Sequence, residues 1–175
     1  LLFVFFIFNF LSLKIKKTNN KKIAKLLANG EIVARFSLEK NEFGPRALGN
    51  RSILADPRRS DILNIINQKI KVRDFWMPFA PSVIDKDLNK FFIIRKNHKP
   101  YFMTTACNTT AIGRRKIPAA IHPFDKTARP QLVLKRYNHS YYDLINEFKK
   151  ISGVGVILNT SFNLHGEPIV FTPKD

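Results

Sequence analysis

Two pairs of polar residues carry the clearest chemistry in this sequence. Lys71 and Arg73 stand two positions apart, and Ser161 and Asn163 repeat that spacing near the far end. Positions i and i+2 share a face in extended chain and not in a helix. Two cations on one strand face repel unless an anion lies between them. A Ser and an Asn can donate to such an anion without adding charge. A solvated basic edge strand accounts for the first pair as well, and an Asx or Ser turn for the second. Arg46, Arg51 and Arg129 bring the candidate cations to five. Arginine grips phosphate in bidentate fashion and lysine acts as a point charge, so the set suits a polyphosphate. Neither GxxxxGK[ST] nor GxGxxG occurs, so side chains rather than a glycine loop would hold the phosphates.

The histidines are less informative. His98, His122, His139 and His165 are scattered without HExxH or Cys-His spacing, which predicts no metal site in this segment. His122 with Asp125 could orient a substrate, and a surface turn is the commoner explanation.

The elements that must position these residues can be read from periodicity. Ile62, Leu63, Ile65, Ile66 and Ile70 form a helical stripe after Pro57, with Ser60 as N-cap, and the helix delivers Lys71. Val154 to Leu158 is an apolar strand running into Asn159–Asn163, and ligands of open α/β sheets bind beyond the carboxyl ends of strands. Elsewhere the pattern predicts a helix over 21–28 stopped by Gly30 and a strand over 31–36. A strand over 77–84, a short helix over 88–92 and a strand over 101–107 follow. Residues 108–118 read as a polar loop, and 122–134 as a loop turning into strand. Ser140 caps a helix that Gly153 ends, and Thr172 suits the N-cap of a further one. Alternation of this kind predicts α/β or α+β architecture with a mixed sheet.

Composition bounds the rest. A chain of 175 residues, 45% apolar and 25% charged, is one globular domain by length and composition. The formal net charge of +17 implies an anionic partner (nucleotide, phosphate, nucleic acid or acidic surface), or else a lysine-rich proteome. A lone Cys107 excludes an internal disulfide and fits a reducing, cytoplasmic setting, though a small buried hydrophobe would look the same. The apolar run Leu1–Leu13 is shorter than the roughly 20 residues of a membrane span and lacks a signal peptide's basic start. A chain beginning inside a longer protein, or in a mistranslated stretch, is expected ahead of a membrane anchor. An end on the first residues of a helix suggests truncation there.

EFGPRALGNRSIL, KVRDFWMPFAP, HPFDKTARPQ and LNTSFNLHGEPIVFTP together resemble the C-terminal domain of the carbamoyltransferases of nodulation-factor and antibiotic biosynthesis. The resemblance divides the chain into a non-matching leader, residues 1–20, and a domain, residues 21–175. It implies a YrdC-like fold, an open twisted mixed sheet with flanking helices around a basic cavity. It also implies that ATP, with Mg2+, and carbamoyl phosphate bind and form carbamoyl-adenylate, for transfer to a hydroxyl acceptor. That transfer would need an N-terminal actin-like domain with a histidine-bound metal, which this chain does not resemble. The Lys-x-Arg and Ser-x-Asn signature falls on Lys71, Arg73, Ser161 and Asn163, with Lys71 and Arg73 expected to be catalytic. Arg46 and Arg129 match basic family positions, Arg51 completes the phosphate-binding set, and Asn159 belongs to the Ser161 loop. Met77 stands where many members carry Arg. An RNA- or nucleotide-binding module, which the charge would favour, and an inactive fragment are the alternatives. Against RNA, the cations are interleaved with a polar loop rather than with exposed stacking aromatics.

Overall fold

The computed structural model describes residues 18–72, 77–172, 174 and 175. Its organising strand is β8 (Val156–Ser161). Side chains of a strand alternate between faces, and here both faces are covered. Val156 and Leu158 enter one hydrophobic core, while Ile157 between them enters the other. The neighbours obey the same alternation. Ile53 and Ala55 of β2 (Arg51–Ala55) and Val83 of β3 (Ala80–Ile84) join the first core, and Leu54 and Ile84 join the second. Each fully buried Val, Leu or Ile contributes about 1.5–3 kcal/mol, which explains why an apolar run was readable as a central strand.

Among the described residues, five strands form one sheet in the order β1-β2-β8-β3-β7. β1 is Val33–Phe36 and β7 is Gln131–Val133. Pairing is antiparallel except between β3 and β7, so the sheet is mixed and open, as expected. On the face of the second core, α1 (Asn20–Ala28) packs against α5 (His139–Ser152) through Ile23, Leu27, Leu144, Ile145 and Phe148. The opposite face is covered by α2 (Asp61–Ile66), α3 (Leu88–Phe91) and the short turn Pro118–Ala120. A small second sheet pairs β4 (Phe92–Ile93), β5 (Cys107–Thr109) and β6 (Thr127–Ala128). None of the described helices is long and apolar enough to cross a membrane.

Several sequence expectations need correction. The polar stretch after Asn108 contains a helix, α4 (Ala111–Lys116), because the Thr110 side chain accepts a hydrogen bond from Gly113 N at 2.9 Å and caps it. Gly113 also lets that helix approach α3, since a Cβ there would overlap the Phe91 carbonyl oxygen. Residues 101–106 are irregular, and the strand begins only at Cys107. Asn138, not Ser140, caps α5, accepting from Tyr141 N at 3.2 Å. Ser60 sits at the start of α2 without a side-chain capping bond.

Candidate functional site

Lys71 and Arg73 were expected on one extended segment. Instead, α2 widens into a π-helical turn, Asn67–Lys71, and Val72 reverses the chain in the left-handed region (φ 44°). Arg73 lies outside the described residues. The turn sends the Lys71 side chain inward, where it is only 2% exposed. Its Nζ donates to Ser161 O at 2.7 Å and Oγ at 3.2 Å, and to Asn163 O at 2.9 Å and Oδ1 at 2.6 Å. Lys71, Ser161 and Asn163, separated by about ninety positions, therefore meet. Ser161 Oγ in turn donates to Asn163 Oδ1 at 2.5 Å. Both descriptions of the 159–163 stretch apply in part. β8 continues through Ser161, and the chain turns there with Asn163 N bonded to Ser161 O at 3.1 Å.

Arg46 and Arg129 face a cavity of about 40 Å³, which Asn159, Thr160, Ser161 and Met103 also line. Burial and the neighbouring Arg46 both push the Arg129 guanidinium below its usual pKa. Among the described residues neither arginine forms a salt bridge. Two like charges that share a wall without a carboxylate favour any anion that enters between them. Beyond Pro45 and Ser161 the cavity adjoins a groove of about 360 Å³ lined also by Glu42, Asn163, Glu167 and Phe171. The cavity accepts a small polar group, and only the groove is of ligand-pocket size.

A buried polar cluster holds the Arg46 loop against the sheet. Asn159 Nδ2 donates to Ala47 O at 3.0 Å, to Ser82 Oγ at 3.1 Å and to Gln131 Oε1 at 3.1 Å. Ser82 Oγ donates to Gln131 Oε1 at 2.6 Å, and Gln131 Nε2 to Leu48 O at 2.9 Å. Gly49, at φ 106°, lies against the Tyr141 ring where a side chain would not fit. Ser82 and Gln131 were not singled out from sequence, because a polar residue in a short strand carries no mark of its partner. Met103, in the left-handed region at φ 56°, had no sequence signal either.

Arg51 departs from its expected role. It is buried in β2, its guanidinium stacks on the Phe36 ring at 3.5 Å, and it donates to the carbonyls of Ser37, Lys40 and Phe171 and to Asn41 Oδ1. Those bonds tie residues 37–41 to Phe171 and leave the guanidinium committed to protein oxygens. His122 and Asp125, 3.1 Å apart, lie beside a different hollow, with Ser60, Arg114 and Lys126, so they do not join the site. Among the described residues no three His, Cys, Asp or Glu side chains gather as metal ligands would.

Residues 24–175 match the sequence profile described as Carbamoyltransferase C-terminus. Nodulation protein NolNO of Sinorhizobium fredii is 40% identical over 154 residues, covering 88% of this chain and 22% of the relative. Nodulation protein NolO of Bradyrhizobium diazoefficiens is 40% identical over 152 residues, covering 87% and 28%. The protein MJ1058 of Methanocaldococcus jannaschii is 46% identical over 152 residues, covering 87% and 24%. The chain thus spans about a quarter of the length of these relatives. A crystal structure of full-length HypF in the phosphate- and nucleotide-bound form shares the fold at a TM-score of 0.56 and 14% identity, covering 98% of this chain and 20% of that one. HypF of T. kodakarensis shares it at 0.59 and 17% identity, covering 99% and 20%.

Proposed function

The chain belongs to the carbamoyltransferase C-terminus family, and from that premise we propose that it is the carbamoyl-activating domain of an O-carbamoyltransferase. It binds ATP, with Mg2+, and carbamoyl phosphate. The observation that carries this reading is the paired Arg46 and Arg129 on a cavity floored by Asn159 and Ser161, next to the Lys71–Ser161–Asn163 cluster. In HypF, a protein of the same fold, phosphate and nucleotide are bound, which supports the assignment without placing either ligand here.

In the proposed reaction, hydrolysis of carbamoyl phosphate frees phosphate and carbamate. A carbamate oxygen then attacks the α-phosphorus of ATP. The bond from that phosphorus to the bridging oxygen breaks, and pyrophosphate leaves. Carbamoyl-adenylate remains for attack by an acceptor hydroxyl, which releases AMP. Arg46 and Arg129 neutralise the phosphoryl oxygens. Ser161 and Asn163 orient them, held by Lys71, whose charge lies close to the α-phosphate as negative charge grows there. Arg73 would add to that charge, and Arg51 serves as a fastening for the loop. The cleft shields a labile intermediate from water. Transfer to the acceptor is assigned to an N-terminal actin-like domain of the whole protein.

The test is pyrophosphate release from ATP with and without carbamoyl phosphate, for the parent chain and Lys71→Ala. Release that requires carbamoyl phosphate and falls at least about a hundredfold in the variant is the expected result, the size of effect typical of losing one electrostatic group at a transition state. Absence of both pyrophosphate release and nucleotide binding would overturn the assignment for this chain. One observation favours a second reading, RNA binding: among the described residues the rings of Phe43, Phe102, Phe124 and Phe171 are exposed. Bases can stack on such rings, and a length-dependent affinity for single-stranded RNA would support that reading.

A further inference from the structure

A separate groove of about 490 Å³ lies against β7, the last strand of the five-stranded sheet. Phe43, Tyr101, Phe102 and Tyr137 line it, with Asn41 and Asn50 among the polar residues. Phe43 is fully exposed, and Phe102 and Tyr137 are more than half exposed. Apolar rings gathered at one place on a surface mark it for contact with something else. The molecule carries a net charge of +17, yet no Lys or Arg is among the described residues that line this groove. Arg136 stacks on the Tyr137 ring at 4.8 Å and Lys40 Nζ donates to Tyr137 O at 3.2 Å, so both cations hold that residue in place.

These features select the occupant. A polyanion such as RNA needs cations beside its stacked bases, and the lining supplies none. An added β-strand needs a free strand edge. Here Leu132 N already donates to Pro100 O at 2.7 Å, and Leu134 O accepts from Tyr137 N and Asn138 N at 3.0 and 3.2 Å. The rings form no flat platform either. Tyr101 meets Phe102 at 67° and Tyr137 at 80°, with centroids 6.1 and 5.8 Å apart, so they stand as ridges with clefts between them. Proline rings fit aromatic clefts, and a proline-rich segment arrives already extended as a polyproline II helix. Its prolines have carbonyls and no N–H, so it asks the groove for donors. Arg51 holds the Asn41 oxygen, which leaves that amide's NH2 to donate. Asn50 Nδ2 has only a long bond, 3.4 Å to Asn41 O. The Tyr137 hydroxyl accepts from Arg136 at 3.4 Å and keeps its own proton. We propose that this groove is a docking surface for an extended, proline-rich segment of a partner polypeptide, gripped by Tyr137 and Phe102.

The experiment is calorimetric titration of the intact chain with decaproline, a glycine–serine decapeptide and an oligouridylate of the same length. Decaproline should bind at one site per chain. The flexible glycine–serine peptide, which has no rings and must be ordered on binding, should bind at least about tenfold more weakly. Tyr137→Ala should weaken decaproline at least about tenfold, as loss of a central aromatic does at an interface, and leave the melting temperature unchanged. Phe102→Ala, also at an exposed ring, repeats the test if Tyr137→Ala folds poorly. No binding of decaproline, equal binding of the two peptides, or equal decaproline affinity in parent and variants would each overturn the proposal. Displacement of decaproline by oligouridylate would overturn it too, and would make the groove part of a nucleic-acid surface.

Discussion

At the residue scale, the site works by leaving charges incompletely answered. Arg129 is held below its ordinary pKa by burial and by Arg46, so the empty protein bears a repulsion that an anion relieves. Two outcomes follow from the same cause. Arg129→Gln should weaken inorganic phosphate binding about tenfold, by loss of one charge-assisted contact, and yet leave the melting temperature unchanged or raised. Calorimetric titration beside a thermal melt separates the two effects, and a fall in both would show that Arg129 is instead holding the fold. Lys71 is treated differently: its ammonium is buried against four neutral oxygens of Ser161 and Asn163. Lys71→Met should therefore lose stability as well as activity, because the oxygens it gathers are left without their common donor. These residue types were legible in the sequence as candidates for a phosphate-binding set. Their division of labour was not, since burial turned Arg51 into a clasp and left Arg46 and Arg129 facing the cavity.

At the element scale, the site depends on where secondary structure stops. Lys71 reaches Ser161 because a helix ends in a π-turn and a left-handed residue, not because a strand presents it. Periodicity located that helix through Ile62, Ile66 and Ile70, and all three are buried. It could not reveal a widened last turn, which leaves the apolar spacing almost unchanged. The helix α4 was missed for a related reason. Six residues are too few for a periodic stripe, and tertiary contacts, with α3 above all, together with the Thr110 cap hold it. Gly113→Ala should accordingly destabilise the protein by about 1–3 kcal/mol, the usual cost of forcing atoms into a packed contact, despite alanine's better helix propensity. Chemical denaturation measures it, and a gain in stability would mean the helices can move apart freely. At the α1–α5 layer, Phe148→Ala should cost about 3–5 kcal/mol by chemical denaturation and spare phosphate binding by the folded protein, since Phe148 lies wholly within the second core.

At the scale of the whole molecule, a net charge of +17 attracts any polyanion, so specificity has to come from the cavity. ATP should bind at one site per chain with a shallow salt dependence, since a mononucleotide carries no condensed counterions to release. Single-stranded RNA, if bound through the general surface, should show a slope that steepens with length. Titrations at several salt concentrations tell the two apart. By itself the amino-acid sequence determined the α/β class, the central apolar strand, the helix before Lys71 and the candidate cations of the proposed site. Those features rest on local chemistry, on side-chain size, polarity and spacing, which a chain carries with it before it folds. Only the tertiary structure decided which cations remain available and that Lys71 meets Ser161 and Asn163 across ninety positions. Those are differences between burial and exposure at contacts distant in sequence, and packing creates them by choosing which polar groups the protein satisfies itself and which it leaves for a ligand.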